Sequence, residues 1–128
     1  MRGKRCSVTY NDWPAARPFW IAVMEVLGHP ILFEHDKGIA FGESTGPKTF
    51  VGPAFDGQAA KSGNGVHVAY IVRNRATVDA FYIAALANGG RDEGPPGLRP
   101  HYHPAYYGAY VRDPDGNKLQ AVCHSSRG

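Results

Sequence analysis

Apolar residues recur along two stretches of the chain with helical spacing. In the first, Ala16, Phe19, Trp20, Val23, Met24 and Leu27 stand at i, i+3, i+4, i+7, i+8 and i+11, one continuous face of an amphipathic helix. In the second, Val78, Phe81, Tyr82, Ala85 and Leu86 keep that spacing. The stretches read as copies. Phe19-Trp20-Ile21-Ala22 returns as Phe81-Tyr82-Ile83-Ala84, an offset of 81 − 19 = 62 residues, and the same offset pairs Asp12 with Asn74 and Gly28 with Gly90. Asp12 and Asn74 sit where a side-chain oxygen accepts from the first free N–H groups of a helix. Gly28 and Gly89-Gly90 follow the last apolar residues, where a left-handed terminator costs least as glycine.

A β-type run precedes each helix, at 7–10 and 66–72. Strand-like segments follow the first helix at 31–34, 38–42 and 49–51, and the second at 106–111 and 118–122. The Pro/Gly-rich segment 94–100 reads as a loop. Asp113-Pro114-Asp115-Gly116-Asn117 is a turn, with proline at its second position and glycine where positive φ is needed, so the last two strands form a hairpin. The small polar residues of 56–65 link the halves. The expectation is an α+β chain forming one domain over 1–128, with module 1 at about 5–55 and module 2 at about 66–124.

Composition narrows the partners. With 43% hydrophobic, 20% charged and 12% aromatic residues and a net charge of +3, the chain is an ordinary globular one and not a disordered one. No apolar run approaches the roughly 20 residues of a membrane span. The basic start, Met1 to Arg5, is not followed by an apolar stretch and cleavage site, so no secretory leader is expected. Cys6 and Cys123 lack CxxC spacing and suit a reducing cytoplasm. Lysines and arginines are scattered with no basic stripe, which disfavours nucleic acid. A sequence pI near 9.0 leaves a neutral or anionic small molecule as the expected ligand and disfavours a strongly cationic one.

Several residues are candidates for chemistry. His101 and His103, bracketed by Pro100 and Pro104, can contact a ligand from an extended loop, with His103 as an acid–base group; two surface histidines are the plain alternative. Tyr102, Tyr106 and Trp20 are candidate aromatic contacts. Period 2 puts Tyr106 and Tyr110 on one strand face and Tyr107 on the other. Arg112 and Asp113 read as solvated turn residues, and Arg91, Asp92 and Glu93 as a polar loop. Cys123 and His124 are strand neighbours facing opposite ways, which excludes a nucleophile–base pair. No phosphate-binding Gly-rich loop, Ser-centred elbow or HExxH motif is present.

Two strings carry a family resemblance: Gly63-Asn64-Gly65-Val66-His67-Val68-Ala69-Tyr70, opening the second module, and the run from Tyr106 through Asp113-Pro114-Asp115-Gly116-Asn117. With the paired modules, they make the chain similar to the vicinal oxygen chelate superfamily, which contains glyoxalases, bleomycin resistance proteins and dioxygenases. The resemblance implies two βαβββ modules whose curled mixed sheets enclose a pocket, and a homodimer. It also implies a divalent metal (Zn, Ni, Mn or Fe) held by one ligand from the first and one from the last strand of each module, typically His and often Glu.

His67 matches the first-strand His of module 2, and Gln120 replaces its last-strand Glu. The offset of 62 from His67 lands on Arg5, and the last-strand position of module 1 falls within 49–51, where no carboxylate stands. His67 and Gln120 are thus the remaining metal candidates, and the family site is expected to be degenerate. Two functions stay open: a small-molecule pocket working without metal, or a metal-dependent lyase or dioxygenase resembling lactoylglutathione lyase, with the metal as Lewis acid.

Overall fold

The computed structural model describes residues 5–43, 46, 48–53 and 67–125, with Arg5, Cys6 and His67 described by backbone alone. The expected link at 56–65 and the basic start at 1–4 lie outside the described residues. Module 1 runs β1 (Arg5–Tyr10), α1 (Trp13–Leu27), β2 (Ile31–His35), β3 (Gly38–Gly42) and β4 (Lys48–Pro53). Module 2 runs β5 (His67–Val72), α2 (Arg75–Ala87), β6 (Arg91–Leu98), β7 (Tyr107–Arg112) and β8 (Lys118–Cys123).

The helices form where the apolar periodicity places them. Asp12 accepts from the Ala15 N–H and Asn74 from the Thr77 N–H, so both expected caps are made. Helix α1 continues through Pro18, which removes an i→i−4 bond at about 3 kcal/mol. Burial of Phe19, Trp20, Val23 and Met24, all without exposed surface, outweighs that at about 1.5–3 kcal/mol each. Gly28 ends α1 in the left-handed region at φ 78°.

Gly90, its partner by offset, is glycine for another reason. A Cβ there would lie 2.7 Å from both the Ala85 carbonyl oxygen and Phe19 Cε2, so the position is fixed by how closely α1 of module 1 approaches module 2.

The two sheets share one topology. Strand orders are β1-β4-β3-β2 and β5-β8-β7-β6; the first pair in each is parallel and the others antiparallel. This is the expected α+β pair of βαβββ modules, though the sheets are not strongly curled. One face of each sheet packs on the helices, and α1 and α2 pack against one another, joining both halves in one apolar core.

Two elements differ from expectation. Neither the polar loop expected at Arg91, Asp92 and Glu93 nor most of the loop at 94–100 stands: β6 runs from Arg91 through Pro95 and Pro96 to Leu98. It is an edge strand bonded to β7 alone, and its register skips from Asp92 to Gly94 and from Gly94 to Gly97, leaving the prolines where no ladder N–H is required. Asp113 is not a solvated turn residue but fully buried. Its Oδ1 accepts from the Asp115 and Asn117 backbone N–H groups, and its Oδ2 from Asn117 Nδ2 and Trp20 Nε1. Asn117 Nδ2 also donates to the Thr9 carbonyl, and Asp115 Oδ1 accepts from the Asn11 N–H. The Asp-Pro-Asp-Gly-Asn turn is therefore a clasp holding module 2 to β1 and α1.

Candidate functional site

A cavity of about 420 Å³ opens on the sheet face of module 2 that faces away from the helices. All its described lining comes from β6, β7, β8 and the 99–106 segment. Tyr110 on β7 and Gln120 on β8 stand opposite each other in register and form its floor. Lys118, two residues before Gln120, shares that face by strand alternation. Glu93 and Arg99 border it from β6 and beyond, and His101, Tyr102 and Tyr106 close it from the loop.

The tyrosines are built into a stack. Tyr102 and Tyr106 ring centroids lie 4.7 Å apart, and His101 lies 4.2 Å from Tyr102. Gln120, only 3% exposed, donates its amide N–H to the Tyr106 hydroxyl. Burial pushes the Tyr110 phenol well above its ordinary value, and hydrogen bonds with Tyr106 and Tyr102 push it further. It therefore stays protonated, a donor and not a phenolate.

The charges are asymmetric. Arg99 Cζ and Lys118 Nζ lie 5.5 and 5.3 Å from the Tyr110 ring centroid, within cation–π range. Arg99 is seated in a trough. A Cβ on Gly94 would come within 3.3 Å of one guanidinium nitrogen, and one on Gly97 within 3.1 Å of the other. Its guanidinium donates to the Pro95 and Leu98 carbonyls at 2.8 and 3.5 Å. Glu93, the acid of the lining, accepts from Arg112 Nε at 2.6 Å. That bond, then the charges of Arg112 and Lys118, hold its carboxyl below the usual range against desolvation.

The sequence candidates divide. Tyr102, Tyr106 and Gln120 meet at the cavity, and Tyr106 and Tyr110 share a face as the period required. Tyr107 points the other way, donating to Asp79 at 2.6 Å. Trp20 is not at the cavity: it has no exposed surface, and its indole N–H is held by Asp113 in the core. His103 also lies outside the lining. Its Nδ1 accepts from the Ala105 N–H, which leaves the proton on Nε2 to bond His124 Nδ1 at 2.8 Å. With both nitrogens engaged and its ring edge-on to Tyr106 at 5.4 Å, His103 braces that tyrosine.

Of the cavity groups, Lys118 was detectable from its spacing to Gln120. Arg99 and Glu93 were hidden by the Pro/Gly run that reads as a loop.

Register tests the metal positions. Gln120 stands opposite Ala69, and Ala69 minus the 62-residue offset is Ser7, which stands opposite Phe50. The module 1 counterpart of Gln120 is therefore Phe50, which offers no donor atom. Arg5 and His67 occupy matching first positions opposite Lys48 and Lys118; their side chains lie outside the described residues. Gln120 spends its amide N–H on Tyr106. Among the described residues, no three His, Cys, Asp or Glu side chains converge as a metal would require. Among the described residues the donor set does not fit the family metal.

Comparison with known proteins agrees with the fold. A sequence model of the Glyoxalase/Bleomycin resistance protein/Dioxygenase superfamily matches residues 4–121. A crystal structure of a glyoxalase/bleomycin resistance protein from Albidiferax ferrireducens T118 is similar at 30% identity and TM-score 0.82, over 94% of this chain and 96% of that one. A glyoxalase-related enzyme from Fulvimarina pelagi is similar at 21% identity and TM-score 0.71, over 94% and 86%. A lactoylglutathione lyase from Agrobacterium tumefaciens shares the fold at 17% identity and TM-score 0.62, over 94% and 91%. No curated protein matches the chain.

Proposed function

Because the chain belongs to the Glyoxalase/Bleomycin resistance protein/Dioxygenase superfamily, we propose that it binds a small neutral or anionic molecule in the module 2 cavity without the family's metal. The observation that carries this reading is the exchange of metal donors for hydrogen-bond partners. Phe50 stands where module 1 would supply a ligand, and Gln120 is tied to Tyr106. The cavity, at about 420 Å³, lies within the roughly 300–1,000 Å³ usual for small-molecule sites. The active metal-dependent lyase or dioxygenase is the weaker alternative, because its Lewis acid would need ligands that module 1 does not provide.

In the same reading both modules form one domain. Ile31 and Phe33, each 50% exposed on β2, with Phe33 packed on Phe50 at 6.0 Å, give sheet β1–β4 an apolar surface that supports a homodimer. Cys123 is a buried free thiol, in keeping with a cytoplasmic setting. Among the described residues no helix is long and apolar enough to cross a membrane.

A thermal-shift screen of a small-molecule library, repeated with chelator, tests the function. Hits that persist in chelator and vanish in Tyr106→Ala are expected. Hits that require added metal would overturn the reading in favour of the enzyme.

A further inference from the structure

We infer that the cavity selects a flat, anionic aromatic molecule, with its anion held by Lys118 and Arg99 and its ring stacked on the tyrosines. This rests on the proposal that the module 2 cavity is the binding site. It goes further by assigning the ligand's charge and shape.

The charge follows from the donor inventory. Among the described residues Arg99 commits two of its five N–H groups, both to backbone carbonyls, and pairs with no carboxylate. Lys118 contacts the π face of Tyr110, which orients an ammonium without neutralising it. The phenols of Tyr102, Tyr106 and Tyr110 line the cavity as polar groups hydrogen-bonded among themselves. Glu93 would oppose an anion, but its charge is turned to Arg112 by the bond at 2.6 Å. Arg99 and Lys118 together outweigh Glu93, which Arg112 already bonds and whose field Lys118 shares, so the lining attracts an anion and repels a cation.

The shape follows from the walls. Tyr102 is 59% exposed and its ring is tilted at 41° to both Tyr106 and His101, so much of its aromatic surface is open to a planar ring entering the cavity. Gly94 and Gly97 keep Arg99 flat against β6, so the guanidinium lies along the wall and does not fill the space. A ring between these walls places an acidic substituent at the Arg99–Lys118 side.

The test uses 2-naphthalenesulfonate, ionised at every working pH, against its neutral isostere 2-naphthalenesulfonamide. Calorimetry gives affinities, and amide chemical shifts of Tyr106, Tyr110 and Gln120 report the site. The expected result is at least about tenfold tighter binding of the sulfonate, as one charge-assisted contact supplies. Lys118→Gln and Arg99→Gln should each cut that preference, with sulfonate affinity falling more than sulfonamide affinity.

Lys48→Gln is the control. It removes the same charge from the equivalent first position of β4, where Lys48 donates to Gly46, and it should change nothing. Among the described residues the Lys118 ammonium donates to no backbone carbonyl, so its variant carries the conclusion should Arg99→Gln disturb β6. Equal affinities for both probes, with shifts at the cavity amides, would overturn the anion assignment and leave the cavity as the binding site. Binding with shifts elsewhere would overturn both. Binding of neither probe would overturn the assignment of a flat aromatic ligand, while the library screen would still judge the cavity.

Discussion

The two modules share a topology and differ across one row of residues. In module 1 the row crossing the open sheet face is Ser7, Phe50, Ala40 and Phe33; in module 2 it is Ala69, Gln120, Tyr110 and Gly94. At the last two positions large and small residues have changed places. Phe33 and Phe50 pack over small neighbours in one sheet, while Gly94 leaves room for Tyr110 and Arg99 in the other. The helix-facing rows are largely apolar in both, with polar groups such as Thr49 and the Tyr107 hydroxyl hydrogen-bonded where they occur. The duplicated fold thus holds the scaffold constant, and the faces turned away from the helices carry the difference: one apolar surface, one polar cavity.

The clasp that joins the modules is where the comparison breaks most easily. Asp113→Ala should destabilise the protein by about 3 kcal/mol in urea unfolding, because it strands Trp20 Nε1 and the Asn117 donors in the interior. A loss under 1 kcal/mol would show that the turn is ornamental to the joint.

The paired glycines sharpen the comparison. Gly90→Ala should cost about 2 kcal/mol by steric overlap with Phe19 and the Ala85 carbonyl. Gly28→Ala meets nothing within 4 Å and should cost about 1 kcal/mol from its positive φ. Asparagine, which tolerates the left-handed region, should recover part of the loss at residue 28 and none at residue 90. Equal responses would mean one cause serves both.

A smaller effect belongs to the joint's titration. His29 of module 1 packs edge-on against Tyr70 of module 2 at 5.5 Å, and its buried Nδ1 has no hydrogen-bond partner among the described residues. Burial holds its imidazole below the ordinary value of 6.5, with Glu43 opposing. On acidification the unfolded chain therefore takes up the proton first. The stability His29 contributes is complete above that value and declines as pH falls through it toward the lower folded value. His29→Phe should flatten this part of the stability–pH curve; an unchanged slope would remove His29 from the account. Smallest of all, Gln120→Glu should leave metal uptake near zero, because Phe50 still lacks a donor. Uptake on this single change would show that module 2 holds a metal by itself.

Much of this was legible in the sequence, for physical reasons. The helix faces, the caps at Asp12 and Asn74, and the Asp-Pro-Asp-Gly-Asn turn are local patterns, and local sequence dictates them. Strand β6 was not legible, because its prolines are tolerated only through edge placement and register skips, which depend on β7. Tyr102 and Tyr106, expected as aromatic contacts, and Gln120, expected as a metal candidate, all line the cavity, whereas Arg99 was hidden with β6. Trp20 misleads because an aromatic on a helix face serves a core or a pocket equally well until its N–H finds Asp113. The burial of Asp113 was invisible for the same reason: its partners stand 93 residues away at Trp20 as well as beside it.

The central claim is that this scaffold binds its ligand without a metal. Metal content per chain should be measured in protein purified without chelator, then after incubation with zinc, nickel, manganese and ferrous iron. The account predicts a value near zero throughout. Close to one equivalent, lost on mutation of His67, would contradict it and restore the metal-dependent enzyme.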